Sequence, residues 1–218
     1  PGGYGEVFLY GRQGLKEYIA RLDHTQQLPA DIQLKLTGDV RKNSLLTSQP
    51  TTLTNINAQA QRRTNTSLTQ LTYIRNLNQG LFRSDNTNAN LRYNYTTQAN
   101  TLRYSGEYSS YGRFGTEGDL PANEEMWNHL LWTHRMGFGN LNLRLDERTD
   151  VDGDDYTGDD NFFGLQRLPE VYLETDQNQM QWDVLKHIPS QFTVGWGLFD
   201  EQPNDVRLSR YLFNWRPQ

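Results

Sequence analysis

The sequence contains no cysteine, only 8 prolines in 218 residues, and no long apolar run. Without cysteine there is no disulfide framework, thiolate metal site or cysteine nucleophile. The longest apolar runs, at 7–10 and 130–132, are far shorter than the roughly 18 residues that a membrane-spanning helix needs. These absences exclude a disulfide-stabilised domain and a helical membrane protein.

Positive charge is also scarce, since 21 Lys and Arg stand against 26 Asp and Glu and the formal net charge is −5. Nucleic-acid-binding domains normally carry a basic face, so we expect no nucleic-acid partner. The mean hydropathy is −0.83, yet the chain holds 12 Tyr, 9 Phe and 5 Trp. Because disordered chains are depleted in aromatic residues, the sequence predicts a folded chain that places few apolar residues at regular positions.

The regular pattern has a period of two. In 32–41, apolar or glycine residues alternate strictly with polar ones, which gives a strand one apolar and one polar face. Further alternating segments lie at 89–95, 102–108, 141–146 and 192–198, with weaker ones at 6–12, 17–27, 52–62, 67–76, 126–138, 167–175, 180–185 and 206–215. The pattern predicts an all-β chain of about thirteen strands, each about nine to eleven residues long.

Short turns and long polar loops alternate between these segments. The expected short turns are 28–31, 63–66, 97–100, 139–140 and 176–179, and the expected long loops are 42–51, 77–87, 110–125 and 150–166. Outer-membrane barrels have short periplasmic turns, long extracellular loops, apolar faces toward lipid and polar faces toward a wet interior. The sequence therefore predicts an antiparallel up-and-down transmembrane β-barrel, with 1–218 as one barrel segment and no second domain.

Four short segments resemble the LptD family of lipopolysaccharide-assembly proteins. They are Gly-Gly-Tyr-Gly-Glu-Val at 2–7, Leu-Asp-His-Thr-Gln-Gln-Leu at 22–28, the Arg-Leu-Pro-Glu stretch within 163–171, and the arginine-rich end at 206–217. The resemblance implies a barrel of the Gram-negative cell outer membrane that passes lipopolysaccharide to the outer leaflet, with no cofactor and no enzymatic activity. It also implies partners: lipopolysaccharide, membrane lipids, a plug lipoprotein of the LptE type and periplasmic bridge proteins.

The sequence departs from that family in three respects. It has none of the cysteines that in some members join the two domains. It lacks the periplasmic β-jellyroll, and its strands are about half of those that such a barrel needs. We therefore expect a partial barrel, about 12–13 strands of a larger one. Two alternatives remain: a general porin or substrate-specific outer-membrane channel, and a soluble extracellular β-sheet binding module.

An acidic cluster at 150–160 is the weak candidate for a metal site, because hard carboxylate ligands suit Ca²⁺ or Mg²⁺. Its candidate ligands are Asp150, Asp152, Asp154 and Asp159. The EF-hand pattern fails, since Gly153 stands at the fourth position rather than the sixth and Asn161 replaces the bidentate Glu. A solvated acidic loop is the alternative. His129 and His134 differ by an odd number of positions, so we expect them on opposite faces of a strand, unable to share a metal.

Basic residues borne by the strands are the remaining candidates. Arg21, Lys35, Arg41, Arg75, Arg92, Arg103 and Arg144 mostly share the polar face with Asn and Gln. Either they line a solvated lumen, or some of them contact phosphates of a passing lipid, because a guanidinium matches phosphate geometry. Arg92, Arg103 and Arg144 are the candidates for the lipid path. The sequence contains no nucleophile-elbow or phosphate-loop motif, and we expect no catalytic residues.

Overall fold

A computed structural model describes residues 2–12, 15–45, 51–80, 83–115, 118–151, 164–176, 179, 190–202 and 206–217. All elements in these ranges are β-strands. They are β1 (Gly2–Arg12), β2 (Leu15–Leu28), β3 (Ile32–Leu45), β4 (Thr51–Arg63), β5 (Ser67–Gln79), β6 (Arg83–Thr96), β7 (Asn100–Gly115), β8 (Gly118–Met136), β9 (Gly139–Asp150), β10 (Gly164–Asp176), β11 (Ser190–Gln202) and β12 (Val206–Pro217). The described part of the chain contains no helix that could cross a membrane.

The strands form one 12-stranded sheet in which each strand lies beside its neighbours in the sequence, from β1 to β12. The pairings that have a defined register are all antiparallel. The sheet is not closed over the described strands, so β1 and β12 are its end strands. The predicted all-β, antiparallel, up-and-down architecture is confirmed, and an open sheet of this kind is consistent with a partial barrel.

The strands are longer, and several connections shorter, than the sequence predicted. β5 and β6 are separated only by 80–82 instead of a loop over 77–87, and β7 and β8 only by 116–117 instead of a loop over 110–125. These two predictions were wrong because polar residues at the end of a hairpin can continue its backbone hydrogen-bond ladder. β8 reaches 19 residues. The expected loop at 150–166 lies largely outside the described residues.

The thirteenth predicted strand, 180–185, also lies outside the described residues. β10 pairs with β9 on one side and with β11 on the other, and Asp176 is opposite Gln191. A short turn after β10 would have placed 180–185 beside that strand, but β11 occupies this position. The described pairings account for twelve strands.

Backbone contacts divide the chain into two compact units. The first comprises Pro1–Arg92, Glu107–Met126 and Asp150–Tyr156, and the second comprises Tyr93–Gly106, Trp127–Thr149 and Thr157–Gln218. In the first unit, β2 to β5 pair without any register shift. The β2–β3 turn places Ala30 and Asp31 at positive φ, 64° and 59°. Positive φ at both residues fits the tight hairpin turns whose twist matches that of the strands.

Directly opposed residues of antiparallel strands project to the same face of a sheet. One face of β3–β5 is mainly apolar, with the rows Leu34–Ala60–Leu71, Leu36–Ala58–Tyr73 and Val40–Thr54–Leu77. The other is mainly polar, with the rows Gln33–Gln61–Gln70, Lys35–Gln59–Thr72 and Asp39–Asn55–Asn76. We call these two sides the apolar face and the polar face.

The same division holds in the second unit. The apolar rows of β9–β12 are Leu143–Val171–Trp196–Tyr211 and Leu141–Leu173–Val194–Phe213. The polar face includes the rows Asn140–Glu174–Thr193–Asn214 and Arg144–Glu170–Gly197–Arg210. The register of β10 shifts between Arg167 and Glu170 against both neighbouring strands, which is a β-bulge containing Pro169. A bulge is one of the few places where a central strand accepts proline, because proline has no N–H to donate.

The apolar face is not covered by another layer of protein. Among the described residues, Phe199 is the only apolar side chain that is buried. By contrast, Val194 is 52% exposed, Phe213 72% and Tyr211 84%. The described part of the chain therefore has no ordinary hydrophobic core.

Candidate functional site: the polar face

All three lipid-path candidates lie on the polar face. Asp85 contacts Arg75 on the apolar face, so alternation along β6 places Asn88 and Arg92 on the opposite, polar side. Glu107 of β7 accepts from Asn88, and Arg103 lies on the same side of β7 as Glu107. Arg144 pairs across β9–β10 with Glu170. Within the described part of the chain, no side-chain contact joins these three arginines in one site.

In the first unit, the polar face carries a groove across β2–β5 of about 460 Å³. Its polar-face lining is Arg21, Asp23, Thr37, Asp39, Arg41, Asn55, Asn57, Ile74 and Asn76. Asp39 accepts hydrogen bonds from Asn55 Nδ2 at 3.1 and 3.2 Å, and its carboxylate lies 3.2 Å from Arg41 Nε. The groove thus offers amide groups and both signs of charge to a polar ligand or to water.

A second groove in the same unit contains Arg92. It is lined on the polar face by Gln59, Gln61, Gln70, Thr72, Asn88, Asn90, Arg92 and Glu107. Asn88 donates to Glu107 at 3.0 Å, and Gln70 donates to Gln61 at 3.4 Å. Both grooves are lined mainly by polar side chains, so this side of the unit can hold water or a polar ligand.

In the second unit, Asp146 is the centre of a charged cluster that the sequence did not reveal. Its carboxylate accepts from Arg144 Nε at 2.8 Å and from Arg167 Nη1 at 2.7 Å, and it lies 2.9 Å from His129 Nδ1. Arg167 also lies 3.3 Å from Glu170. These side chains come from β8, β9 and β10, so only the strand pairing brings them together.

Trp127 extends this cluster along β8. Its ring stacks on His129 at a centroid distance of 6.2 Å, and the guanidinium of Arg148 lies 4.9 Å from its centre. An arginine in this position interacts favourably with the electron-rich face of the ring. The polar face therefore combines cations with an aromatic platform, which can contact sugars and phosphates as well as water.

Arg75 is the exception among the basic residues expected on the polar face. It is opposite Ile56 and lies on the apolar side of β5 with Tyr73 and Leu77. Its guanidinium donates to both carboxylate oxygens of Asp85, from Nε at 3.0 Å and from Nη2 at 2.5 Å.

The acidic cluster and the histidines form no metal centre in the described residues. Asp150 ends β9, whereas Asp152, Asp154 and Asp159 lie outside the described residues. No group of three or more His, Cys, Asp or Glu suited to a metal ion occurs in the described part of the chain. His129 contacts Asp146 on the polar face, and His134 lies 2.9 Å from Asn100 Oδ1, so the two rings belong to different contacts.

No protein family, curated protein or solved structure matches this chain.

Proposed function

We propose that this chain forms part of the wall of a Gram-negative outer-membrane β-barrel that passes lipopolysaccharide to the outer leaflet, in the manner of the LptD family. The observation that carries the proposal is the uncovered apolar face. A soluble sheet normally buries such a face against a second layer. In a barrel, lipid covers that face and the polar face lines a wet interior.

The exposed area supports a lipid-covered surface. The accessible surface of the chain is 15044 Å². A compact soluble monomer of this mass exposes about 10,000 Å². Part of this area is the apolar face, which exposes side chains such as Phe213 and Val194, and for that part water is a poor solvent and a bilayer a good one.

The height of the apolar face also fits a bilayer. On β3 it extends from Ile32 to Val40, about nine residues, which is the length of a tilted strand that crosses the hydrocarbon core. Charged residues mark both ends of the band: Arg62 is opposite Ile32 in its first row, and Lys42, opposite Thr52, follows Val40. A band of this height favours strands that span the bilayer rather than a sheet that lies flat on a membrane surface.

The polar face is suited to a phosphorylated glycolipid. Arg92, Arg103 and Arg144 offer guanidinium groups among neutral amides, which can exchange partners with sugars and phosphates without a cofactor. In this proposal the chain is not an enzyme, and its further partners are the periplasmic bridge proteins and a plug lipoprotein of the LptE type. A porin would use the same polar lining for water and small solutes.

Tryptophan quenching by lipid tests the membrane location. Trp132 and Trp127 lie on the same strand but on opposite sides, because Trp132 shares its side with Asn128, the partner of Tyr104, and Trp127 shares its side with His129. Two variants each keep one of them and replace the other tryptophans by phenylalanine. In vesicles of brominated phosphatidylcholine, Trp132 should lose most of its emission and Trp127 should keep it.

The two variants control for each other, since they share strand, preparation and lipid. Equal quenching of both tryptophans would contradict the assignment of the faces. Release of the chain into buffer without detergent, with neither tryptophan quenched, would refute the barrel and favour the soluble binding module.

Photo-crosslinking in living cells tests the lipid path. Arg92 lies near the short-turn end of β6, at the level of the inner leaflet, which holds phospholipid in this proposal. A photoreactive residue at Arg92 should therefore crosslink to lipopolysaccharide, whereas one at its neighbour Leu91, on the apolar face, should crosslink only to phospholipid. If no lipopolysaccharide crosslinks at position 92 and the protein conducts ions, the proposal of a lipopolysaccharide inserter is refuted and the porin is favoured.

A further inference from the structure

The polar sides of β4 and β5 form an uncharged strip between charged neighbours. At four successive positions of this face, β4 carries the amides Asn55, Asn57, Gln59 and Gln61. The residues of β5 that stand opposite them are Asn76, Ile74, Thr72 and Gln70. We call these eight residues the amide strip. Over the described positions 55–61 and 70–76, this face of the two strands carries no charged side chain.

The amide strip is open along its length. The first groove, of about 460 Å³, reaches Asn55 and Asn57, and the second, of about 380 Å³, reaches Gln59 and Gln61. Because an extended strand rises about 3.3 Å per residue, the strip runs for about 20 Å along β4. A ligand chain that lies along this strand can therefore contact several amides at once.

We infer that the amide strip binds the hydroxyl groups of an uncharged saccharide chain. A side-chain amide combines hydrogen-bond donors with an acceptor, as a sugar hydroxyl does. In the middle of the strip, Ile74 offers an apolar contact to the C–H groups of a sugar ring. The inference goes beyond the lipid path, because it requires neither a phosphate nor the arginines of that path. It rests on the proposed barrel, whose wet interior keeps this face open to a ligand.

The hydrogen bonds of the strip leave groups for a ligand. Asn55 donates through Nδ2 to Asp39, so its Oδ1 can accept from a hydroxyl. Gln61 accepts through Oε1 from Gln70, so its Nε2 can donate to one. The strip can thus both donate to a saccharide and accept from it.

The position of the charges indicates a neutral ligand. On one side of the strip, Asp39 lies 3.2 Å from Arg41, and on the other, Glu107 accepts from Asn88 at 3.0 Å. An ion seated on the strip itself would give up hydration without meeting an opposite charge. A saccharide gives up only hydrogen bonds to water, which the amides replace.

Saturation-transfer NMR of the full chain with maltoheptaose tests the site, in lauryldimethylamine oxide because this detergent has no sugar headgroup to compete. Gln59→Ala should weaken the binding of maltoheptaose about fivefold, because it removes hydrogen bonds to the ligand. Gln59→Asn keeps an amide and should retain most of the binding. Gln79→Ala removes an amide of β5 that lies opposite Thr52, on the apolar side, and should leave binding unchanged.

A free saccharide and the sugar part of a glycolipid offer the same hydroxyl groups, so digalactosyldiacylglycerol is titrated in parallel. Tighter binding of this glycolipid, with the same loss in Gln59→Ala, would identify the sugar part of a glycolipid as the ligand. Tighter binding of maltoheptaose, with that loss, would identify a free saccharide.

Equal effects of Gln59→Ala and Gln79→Ala would overturn the site, and so would displacement of maltoheptaose by an excess of inorganic phosphate. If Gln59→Ala does not fold, Asn76→Ala takes its place against the same control. The requirement for detergent is measured on the same samples. Its loss refutes the membrane barrel, whereas its retention without binding of either saccharide probe refutes only the saccharide site.

Discussion

Strands β3–β5 and strands β9–β11 both alternate polar and apolar side chains, but they differ in how regularly they pair. β3, β4 and β5 keep one register from end to end, and the polar face between them is mostly amides. β10 shifts register between Arg167 and Glu170 against both neighbours, and its polar face carries charges. The irregular region therefore has an ion pair between strands, Arg167–Asp146, whereas the ion pair described in the regular region, Arg41–Asp39, lies within β3.

The bulge explains why these charges converge. An extra residue in one strand re-aims the side chains beside it. On β10 it leaves Arg167 opposite Asp146 and Glu170 opposite Arg144, and Arg167 and Glu170 lie 3.3 Å apart on the same face. In β3–β5 the backbone pairing is unbroken, and side-chain hydrogen bonds such as Asn55–Asp39 only add to it. In β9–β11, side chains connect the strands on both sides of the interruption, through Arg167–Asp146 and Asn142–Glu174.

The largest difference in stability between the two regions should appear when one glycine in each is replaced by alanine. A Cβ at Gly195 of β11 would lie 2.6 Å from Tyr172 Cβ and 2.8 Å from the Val171 carbonyl oxygen. A Cβ at Gly38 of β3 would meet nothing nearer than the Asn55 carbonyl oxygen, at 3.4 Å. Gly195→Ala should therefore lower the free energy of unfolding by about 2–3 kcal/mol. Gly38→Ala should leave it unchanged or raise it by about 0.5 kcal/mol.

Urea unfolding in lipid vesicles, followed by tryptophan emission and by the folded band on unboiled gels, measures both variants. Gly38→Ala is the control for adding a methyl group to a central strand. If both variants lost the same free energy of unfolding, β9–β11 would be no more tightly packed than β3–β5. That result would contradict the difference claimed between the two regions.

The period of two predicted most of the fold, since strict alternation in 32–41 and 192–198 corresponds to β3 and β11. The period of two did not predict which side chains of β5 lie on which face. The large apolar residues of this strand are spaced by three, at Leu68, Leu71, Ile74 and Leu77. Leu68 and Ile74 lie on the polar side, and Leu71 and Leu77 on the apolar side, so only pairing with β4 assigns Arg75 to the apolar face. Polar strand ends were also read as loops, because the same residue types suit both.

The candidate site was predicted in part for a related reason. Arg92, Arg103 and Arg144 lie on the polar face as expected, because each sits in an alternating segment. The cluster at Asp146 was missed, because its members His129 and Arg167 lie on strands other than its own. Alternation assigns a residue to a face, but it carries no information about which residues of neighbouring strands stand opposite.

A smaller difference in stability should appear when one aspartate in each region is replaced by asparagine. Asp146→Asn removes the charge shared by Arg144, Arg167 and His129 and should lower the free energy of unfolding by about 1–2 kcal/mol. The loss is moderate because Arg144 is 43% exposed and can be solvated. Asp39→Asn keeps an oxygen acceptor for Asn55 and loses only an exposed contact with Arg41, so it should cost less than about 0.5 kcal/mol.

A double-mutant cycle sharpens this prediction. Since Arg167 donates to Asp146 at 2.7 Å, Arg167→Gln should cost much less in the Asp146→Asn background than in the original chain. Additive losses would mean that the two side chains stabilise the sheet separately and that the bulge is held by backbone pairing alone. A strongly non-additive result would instead identify the Asp146 cluster as the contact that fixes the register of β10, whereas the described residues of β3–β5 keep their register without an ion pair between strands.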